Sequence, residues 1–356
     1  MRVLAWVPQE VDTSPGQRYR IEQWDPSLRE EGIEITYSPS TPARVTALLQ
    51  QSGAVRPKAW GLTQAFSRRL REAWEASAFD LVYIFREGAL FGPALAERLL
   101  SWNGIPFVFD FDDAVWVRYV SPANSYFSYL RFPGKTATLC RLARHVIAGN
   151  SYLRDYATRY NEHVSIVPST IDTLKYEPIS PRASTRPVIG WTGSYSTVQY
   201  LRLIRPALVR LRARRDFRVV VVGGTGFEID GVEVEHRPWR SATEVQDLSD
   251  FNVGIMPLAD TEWERGKCGL KALQYMALGI PPVVSPVGVN REIVDHGQNG
   301  FLASTEDDWV ETLDRLLADG DLRLRVGRAA RATVETRFSA RVQAPRVAQI
   351  LRSVVR

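Results

Sequence analysis

Hydrophobic positions along this chain fall into short unbroken runs, separated by longer stretches in which apolar residues recur every three or four places. A run that is apolar at every position is a strand covered on both faces, and a 3.6-residue period is a helix covering one of those faces. The pattern therefore predicts parallel sheets with helical crossovers. In the first half the predicted strands are residues 2–7, 33–37, 81–85, 106–110, 145–148 and 164–167. Periodicity then fails over residues 176–187, where Pro178, Pro181 and Pro187 stand among small and charged residues. It restarts with strands at 188–191, 217–222, 232–236, 253–256 and 282–285, and from Glu306 onward the chain reads as helical, with Phe338-Ser339 marking a break before a last helix. Two doubly wound α/β domains are expected: 1–178 and 188–338, joined by a linker at 179–187 and followed by a terminal helix at 339–356. Two such halves facing each other leave a central cleft at the carboxyl ends of their strands, where open α/β sheets bind ligands.

Length agrees, since 356 residues suit two domains. With 45% apolar and 24% charged residues the chain is neither disordered nor collagen-like. No apolar run approaches the roughly 18 residues of a membrane span, and Met1 to Val7 runs directly into a strand pattern with no signal segment, so a cytoplasmic protein is expected. Two cysteines and four histidines provide neither a disulfide framework nor metal-ligand spacing. The net charge of +5 rests almost wholly on arginine; it suits polyanionic ligands or an acidic lipid surface, peripheral at the inner face of the cell membrane. No basic stripe interleaved with aromatics points to nucleic acid.

The segment from Glu262 to Ser285 is the most informative. It reads as a loop, a helix from Cys268 to Leu278 stopped by Gly279, and a buried strand. Backbone N–H groups of Cys268, Gly269 and Leu270 at the helix start suit an anion, and Gly269 leaves room for a phosphate. Lys267 and Lys271 are four apart, on one helical face, and are two of only five lysines in an arginine-rich chain. They flank such an anion or form a solvated pair. Gln274, one turn on, offers an amide to a sugar hydroxyl.

This segment, together with Gly288 to Ala303, Val167 to Asp172 and Ile189 to Ser194, resembles the retaining glycosyltransferases of family 4 over nearly the whole chain. The resemblance implies the GT-B fold, with C-terminal helices crossing back to the first domain. It implies a nucleotide diphosphate sugar as donor and a glycan, lipid-linked or small-molecule acceptor, without cofactor or metal. The family's donor helix bears two Glu eight positions apart; Gly266 and Gln274 stand there instead. Gln274 inherits the ribose role, and Glu262 or Glu264 is a substitute for the first Glu. Residues 195–201 hold no basic residue, so Arg265, Lys267 and Lys271 are the groups expected at the leaving diphosphate.

Other candidates are graded against simpler roles. Thr192-Gly193-Ser194 follows a strand and either meets the diphosphate or merely caps a turn. Gly223-Gly224-Thr225-Gly226 is read as a turn. Arg237 and Trp239 follow another strand end, where the resemblance seats the base; Trp239 suits the core equally. Asp110, Asp112 and Asp113 end a strand: an Asp-x-Asp can hold a divalent metal, as in a metal-dependent transferase, but Asp112 is expected to face the cleft metal-free with the other two supporting it. Gly16, Arg18, Tyr19 and Arg20 after the first strand, and Arg86 and Glu87 after another, form the acceptor side. Trp60, Phe66, Leu70 and Trp74 share a helix face beside Arg68, Arg69 and Arg71, which either lies on an anionic bilayer or packs on its own sheet; residues 117–132 are aromatic-rich. A non-catalytic sugar-nucleotide or glycan-binding protein is the remaining alternative.

Overall fold

The structure is a computed structural model that describes residues 1–41, 55–90, 92–117, 132, 134–178 and 186–355. Residues 179–185 of the expected linker and most of the aromatic-rich stretch at 117–132 lie outside the described residues.

Every predicted strand forms, with edges shifted by no more than two residues. The first sheet contains β1 (Arg2–Val7), β2 (Glu34–Pro39), β3 (Leu81–Phe85), β4 (Phe107–Phe111), β5 (His145–Ala148) and β6 (Val164–Ile166), in the order β2-β1-β3-β4-β5-β6. All its pairings are parallel. β3 and β4 are buried at every position, as their unbroken apolar runs require. The second sheet contains β7 (Val188–Thr192), β8 (Arg218–Val222), β9 (Glu233–Arg237), β10 (Val253–Met256), β11 (Pro282–Val284) and β12 (Phe301–Leu302), ordered β12-β11-β10-β7-β8-β9. It too is parallel throughout. Its core joins Trp191, Val219, Ile255 and Phe301 from strands to Leu208, Leu313 and Val326 from helices.

In each sheet the direction in which strands are added reverses once, between β1 and β3 in the first and between β7 and β10 in the second. Loops at the carboxyl ends of such a pair diverge and open a crevice. The loops that follow these four strands hold most of the candidate residues.

The chain groups into two units: Met1–Ser169 with Gly266–Cys268 and Gln343–Arg356, and Thr170–Arg265 with Gly269–Val342. Residues 306–355 form the helices Glu306–Ala318, Gly320–Thr333 and Ala340–Val355, with a π-helical turn Val334–Phe338 before the last. The first opens on a capping box in which Thr305 and Asp308 satisfy each other's backbone N–H. In the first unit Arg352 ties the last helix to Glu31, through Nη1 to Oε2 at 2.6 Å and Nη2 to the carbonyl at 2.7 Å.

Candidate functional site

In the first unit a charged cluster surrounds the ends of β1, β3 and β4. Arg86 directly follows β3 with φ of 63°, a left-handed backbone that a non-glycine residue adopts only when its surroundings hold it there. The holding groups are carboxylates: Nε donates to Asp112 Oδ1 at 2.6 Å and Nη2 to Asp113 Oδ2 at 2.7 Å. Gly16 makes room for this pair, since a Cβ there would lie 2.7 Å from Arg86 Nη2 and 3.0 Å from Asp112 Oδ2. Burial opposes the charged form of Asp112, but Arg86 overrides it and holds the carboxyl below its ordinary value. Lys267 Nζ lies 3.9 Å from Asp113 Oδ1, and Glu87 lies 3.6 Å from Lys135 Nζ.

The segment Gly266–Cys268 packs in this same unit. Asn150 caps the Ser151–Ala157 helix with its Oδ1 and donates through Nδ2 to the carbonyls of Gly266 (3.1 Å) and Lys267 (3.0 Å). Cys268 Sγ donates to the Asp112 carbonyl at 3.2 Å, and burial raises its thiol well above the usual range. A Cβ on Gly266 would collide with Ala114. Glycine at the family's first Glu position is thus a packing requirement of this chain.

Arg20, expected on the acceptor side, is engaged within its own unit. It is fully buried and grips both oxygens of Asp110 through Nε and Nη2, at 2.7 and 2.6 Å, while Nη1 donates to the Val167 carbonyl. Burial works against the guanidinium, yet Asp110 raises its pKa above the ordinary value. To reach this pocket Arg20 leaves helical geometry, at φ −129° and ψ −113°, which widens the surrounding turn into a π-helix. Arg18 and Tyr19 are likewise buried, with Arg18 Nη2 donating to the Tyr19 hydroxyl at 2.8 Å. With Asp110 held by Arg20 and Asp112 by Arg86, the Asp-x-Asp pair is already neutralised by guanidinium groups, a donor set unlike a metal cage.

In the second unit the loop after β7 meets the helix that precedes β11. That helix spans Leu270–Ala277, later than expected, because Gly269 precedes it with φ of 68°. Lys267 therefore precedes the helix and shares no helical face with Lys271. The missing Cβ of Gly269 faces Ile293, Val289 and Asn290, so the glycine admits side chains of its own unit. Half-buried Lys271 crosses Gly193, with its Cε 2.8 Å from where a Cβ would sit, and places Nζ 5.4 Å from the ring centroid of buried Trp191. The three N–H groups of Thr192, Gly193 and Ser194 donate to Tyr275 Oη, the Val222 carbonyl and Thr197 Oγ1, so they are engaged internally. Gly223 turns against the Gly193 carbonyl, as a plain turn.

Gln274 is buried and donates to Glu244 Oε1 at 2.8 Å. Glu244 also accepts from the Trp239 indole at 2.9 Å and the Tyr176 hydroxyl at 2.6 Å. Neither Glu244 nor Tyr176 belongs to a motif; their only signal was a charged residue among helical positions and an aromatic in a stretch that reads as linker. Arg237 is drawn to Glu235 (2.6 Å) and Asp250 (2.8 Å) at the edge strand β9, and lines a cavity of about 430 Å³ with Arg240 and Asp247. Glu264 is buried and accepts from the Tyr200 and Thr261 hydroxyls, while exposed Glu262 opens the short helix Glu262–Arg265. Arg265 is exposed and pairs with Asp260 at 2.6 Å.

Two family profiles match the chain: Glycosyltransferase Family 4 over residues 25–175 and Glycosyl transferases group 1 over residues 186–319. A curated relative, D-inositol 3-phosphate glycosyltransferase of Corynebacterium jeikeium (strain K411), is 27% identical over 194 residues. That match spans about half of each protein, 47% of this chain and 46% of the relative. Among solved structures, sucrose-phosphate synthase from Thermosynechococcus elongatus superposes with a TM-score of 0.70 at 16% identity, over 99% of this chain and 98% of that one. Anabaena HepE in complex with UDP-glucose does so with a TM-score of 0.69 at 16% identity, over 99% and 100%. The two parallel sheets are those of the GT-B architecture, and the chain belongs to the group 1, family 4 glycosyltransferases.

Proposed function

We propose that this chain transfers a sugar from a nucleoside diphosphate sugar to an acceptor hydroxyl, with retention of configuration and without a divalent metal. The observation that carries the reading is Lys271 held across Gly193 beside Trp191, at the point where strand addition reverses in the second sheet. A glycine that lets an ammonium approach the end of β7 is a device for placing positive charge at a ligand crevice. The Anabaena relative's complex with UDP-glucose supports that class of donor. As the bond from the anomeric carbon to the diphosphate breaks, the acceptor oxygen bonds to that carbon on the same face. Its proton passes to the departing phosphate oxygen. Lys271 stabilises the charge gained by the diphosphate, and Lys267 is proposed as a further catalytic cation; stabilisation of this kind is commonly the largest part of such catalysis. Ribose recognition falls to the Gln274 and Glu244 group, and the Arg86 cluster lines the acceptor side.

Incubation with UDP- and GDP-sugars, scored for nucleotide release with and without acceptor, tests the reading. Release is expected to survive EDTA, and Lys271→Ala and Lys267→Ala to lower turnover by roughly 10²-fold, about 2.7 kcal/mol. Activity abolished by EDTA and restored by manganese would favour the Asp-x-Asp mechanism. Nucleotide binding without turnover on any acceptor would favour a binding protein.

A further inference from the structure

The acceptor side of the first unit holds a cavity that polar substrate chemistry does not explain. It has a volume of about 420 Å³, within the range of ligand pockets. It is lined by residues that follow β2 and β3, the latter starting at Gly88, two positions after Arg86 in the chain. Its walls are Leu62, Ala65 and Phe66 from the Val55–Glu75 helix, Gly88 and Leu90 after β3, and Leu95 from the Leu95–Trp102 helix. Not one of the described residues lining it is ionisable. All three of its hydroxyls are spent on backbone carbonyls: Ser40 donates to Gly88 at 2.8 Å, Thr41 to Pro8 at 2.9 Å and Thr63 to Ala59 at 2.9 Å. A sugar or phosphate placed here would lose water and find few partners.

The cavity is also built to keep its shape. Arg69, on the same helix, is almost fully buried and donates to the Gly88 carbonyl at 2.7 Å and Ser40 Oγ at 3.1 Å, which joins three walls through one guanidinium.

Outside, the same helix presents a stripe at 56, 60, 64, 67, 71 and 74, all exposed, in which Trp60 and Trp74, 67% and 69% accessible, alternate with Arg56 and Arg71. The expected aromatic face is therefore split: Phe66 and Leu70 turn inward while the tryptophans point to solvent. The neighbouring Leu95–Trp102 helix packs alongside and adds Trp102, 87% accessible, and exposed Arg98. Exposed tryptophans with interspersed arginines match the headgroup layer of an anionic bilayer. Ala59 and Thr63 lie between the stripe and the cavity, so the two surfaces adjoin.

We infer that the acceptor is an amphiphile embedded in an anionic membrane, and that this cavity seats its apolar chain while the polar head meets the Arg86 side. The inference rests on the proposed transferase function and names its acceptor class.

The test uses the full chain and four probes. Decyl phosphate, kept below its micelle concentration, is expected to bind at least 100-fold more tightly than butyl phosphate, because each buried methylene adds to affinity. Ala65→Trp should fill the cavity and abolish that difference, with UDP affinity and melting temperature unchanged. Vesicles of equal phosphatidylcholine and phosphatidylglycerol should co-sediment the wild type, and Trp60→Ser/Trp74→Ser should reduce the bound fraction at least tenfold. Equal affinity for the two phosphates, or a chain-length preference that survives Ala65→Trp, would overturn the cavity's role. Chain-length preference without vesicle binding would overturn the membrane-embedded acceptor. Failure to bind UDP would strike the transferase reading instead, leaving the alkyl phosphate result to stand on its own.

Discussion

At the residue scale, replacement of the family's second Glu by Gln274 has a local cause. Glu244 lies 2.8 Å away and accepts the amide hydrogen, whereas a glutamate at 274 would set two carboxylates against each other in a buried site. Gln274→Glu is therefore expected to destabilise the fold by about 1 to 3 kcal/mol at neutral pH. The exchange Gln274→Glu/Glu244→Gln should recover most of the loss, and urea denaturation of the four proteins closes the cycle. Additive effects would show that the two side chains do not act as a pair. The pairing was not legible in the sequence, where Gln274 read as an amide for a sugar hydroxyl and Glu244 only as a charged residue among helical positions. The same limit hid the partner of Arg20. An arginine in a loop reads as solvated, and only the placement of β4 beside β3 and β5 brings Asp110 within reach of it. Apolar runs declare burial directly; ion pairs between residues 90 apart do not.

Among the elements, the helix Leu270–Ala277 illustrates what the sequence conveyed and where it fell short. Its existence and its end at Gly279 followed from periodicity, but its start did not, because a glycine that sets a left-handed cap looks the same as one that admits a ligand. The structure separates the two uses through Ile293, Val289 and Asn290, which occupy the space of the absent Cβ. Gly269→Ala should then cost about 1 to 3 kcal/mol, part from φ of 68° and part from the clash with Ile293. Ile293→Val should relieve only the steric part. Thermal melts of the single and double variants measure both, and an unchanged midpoint in Gly269→Ala would show that the cap relaxes without cost. β12 escaped prediction for a simpler reason: two residues are too few for any period to register.

For the whole molecule, some carboxylates in each unit are held below their ordinary values, while burial raises Asp110 and Glu22 in the first. In the first unit burial opposes the charge on Asp112 but Arg86 outweighs it. In the second, Arg237 lowers Glu235, Arg265 lowers Asp260, and the backbone of Thr305 lowers Asp308. A depressed folded value means that the unfolded chain binds protons first. The stabilisation is complete above the unfolded values of 3.8 for Asp and 4.5 for Glu, and is lost as pH falls through the folded ones. Asp112 is buried, whereas Asp260 and Asp308 are largely solvated and screened, so Asp112 should dominate. Acid unfolding followed by circular dichroism should therefore begin below about pH 4, with a shallower acid limb in Asp112→Asn. An identical limb in that variant would shift the effect to the other groups.

Neither unit is one continuous stretch, since the first needs Gly266–Cys268 and Gln343–Arg356 as well as Met1–Ser169. On the ribosome this sets an order of completion. At roughly 5 to 20 residues per second, residues 1–169 emerge long before the helix that bears Arg352, and Glu31 waits on the order of ten seconds or more for its partner. The nascent first unit must spend that interval with its sheet made and its last helix missing. A gene cut after codon 169 would make this temporary state permanent.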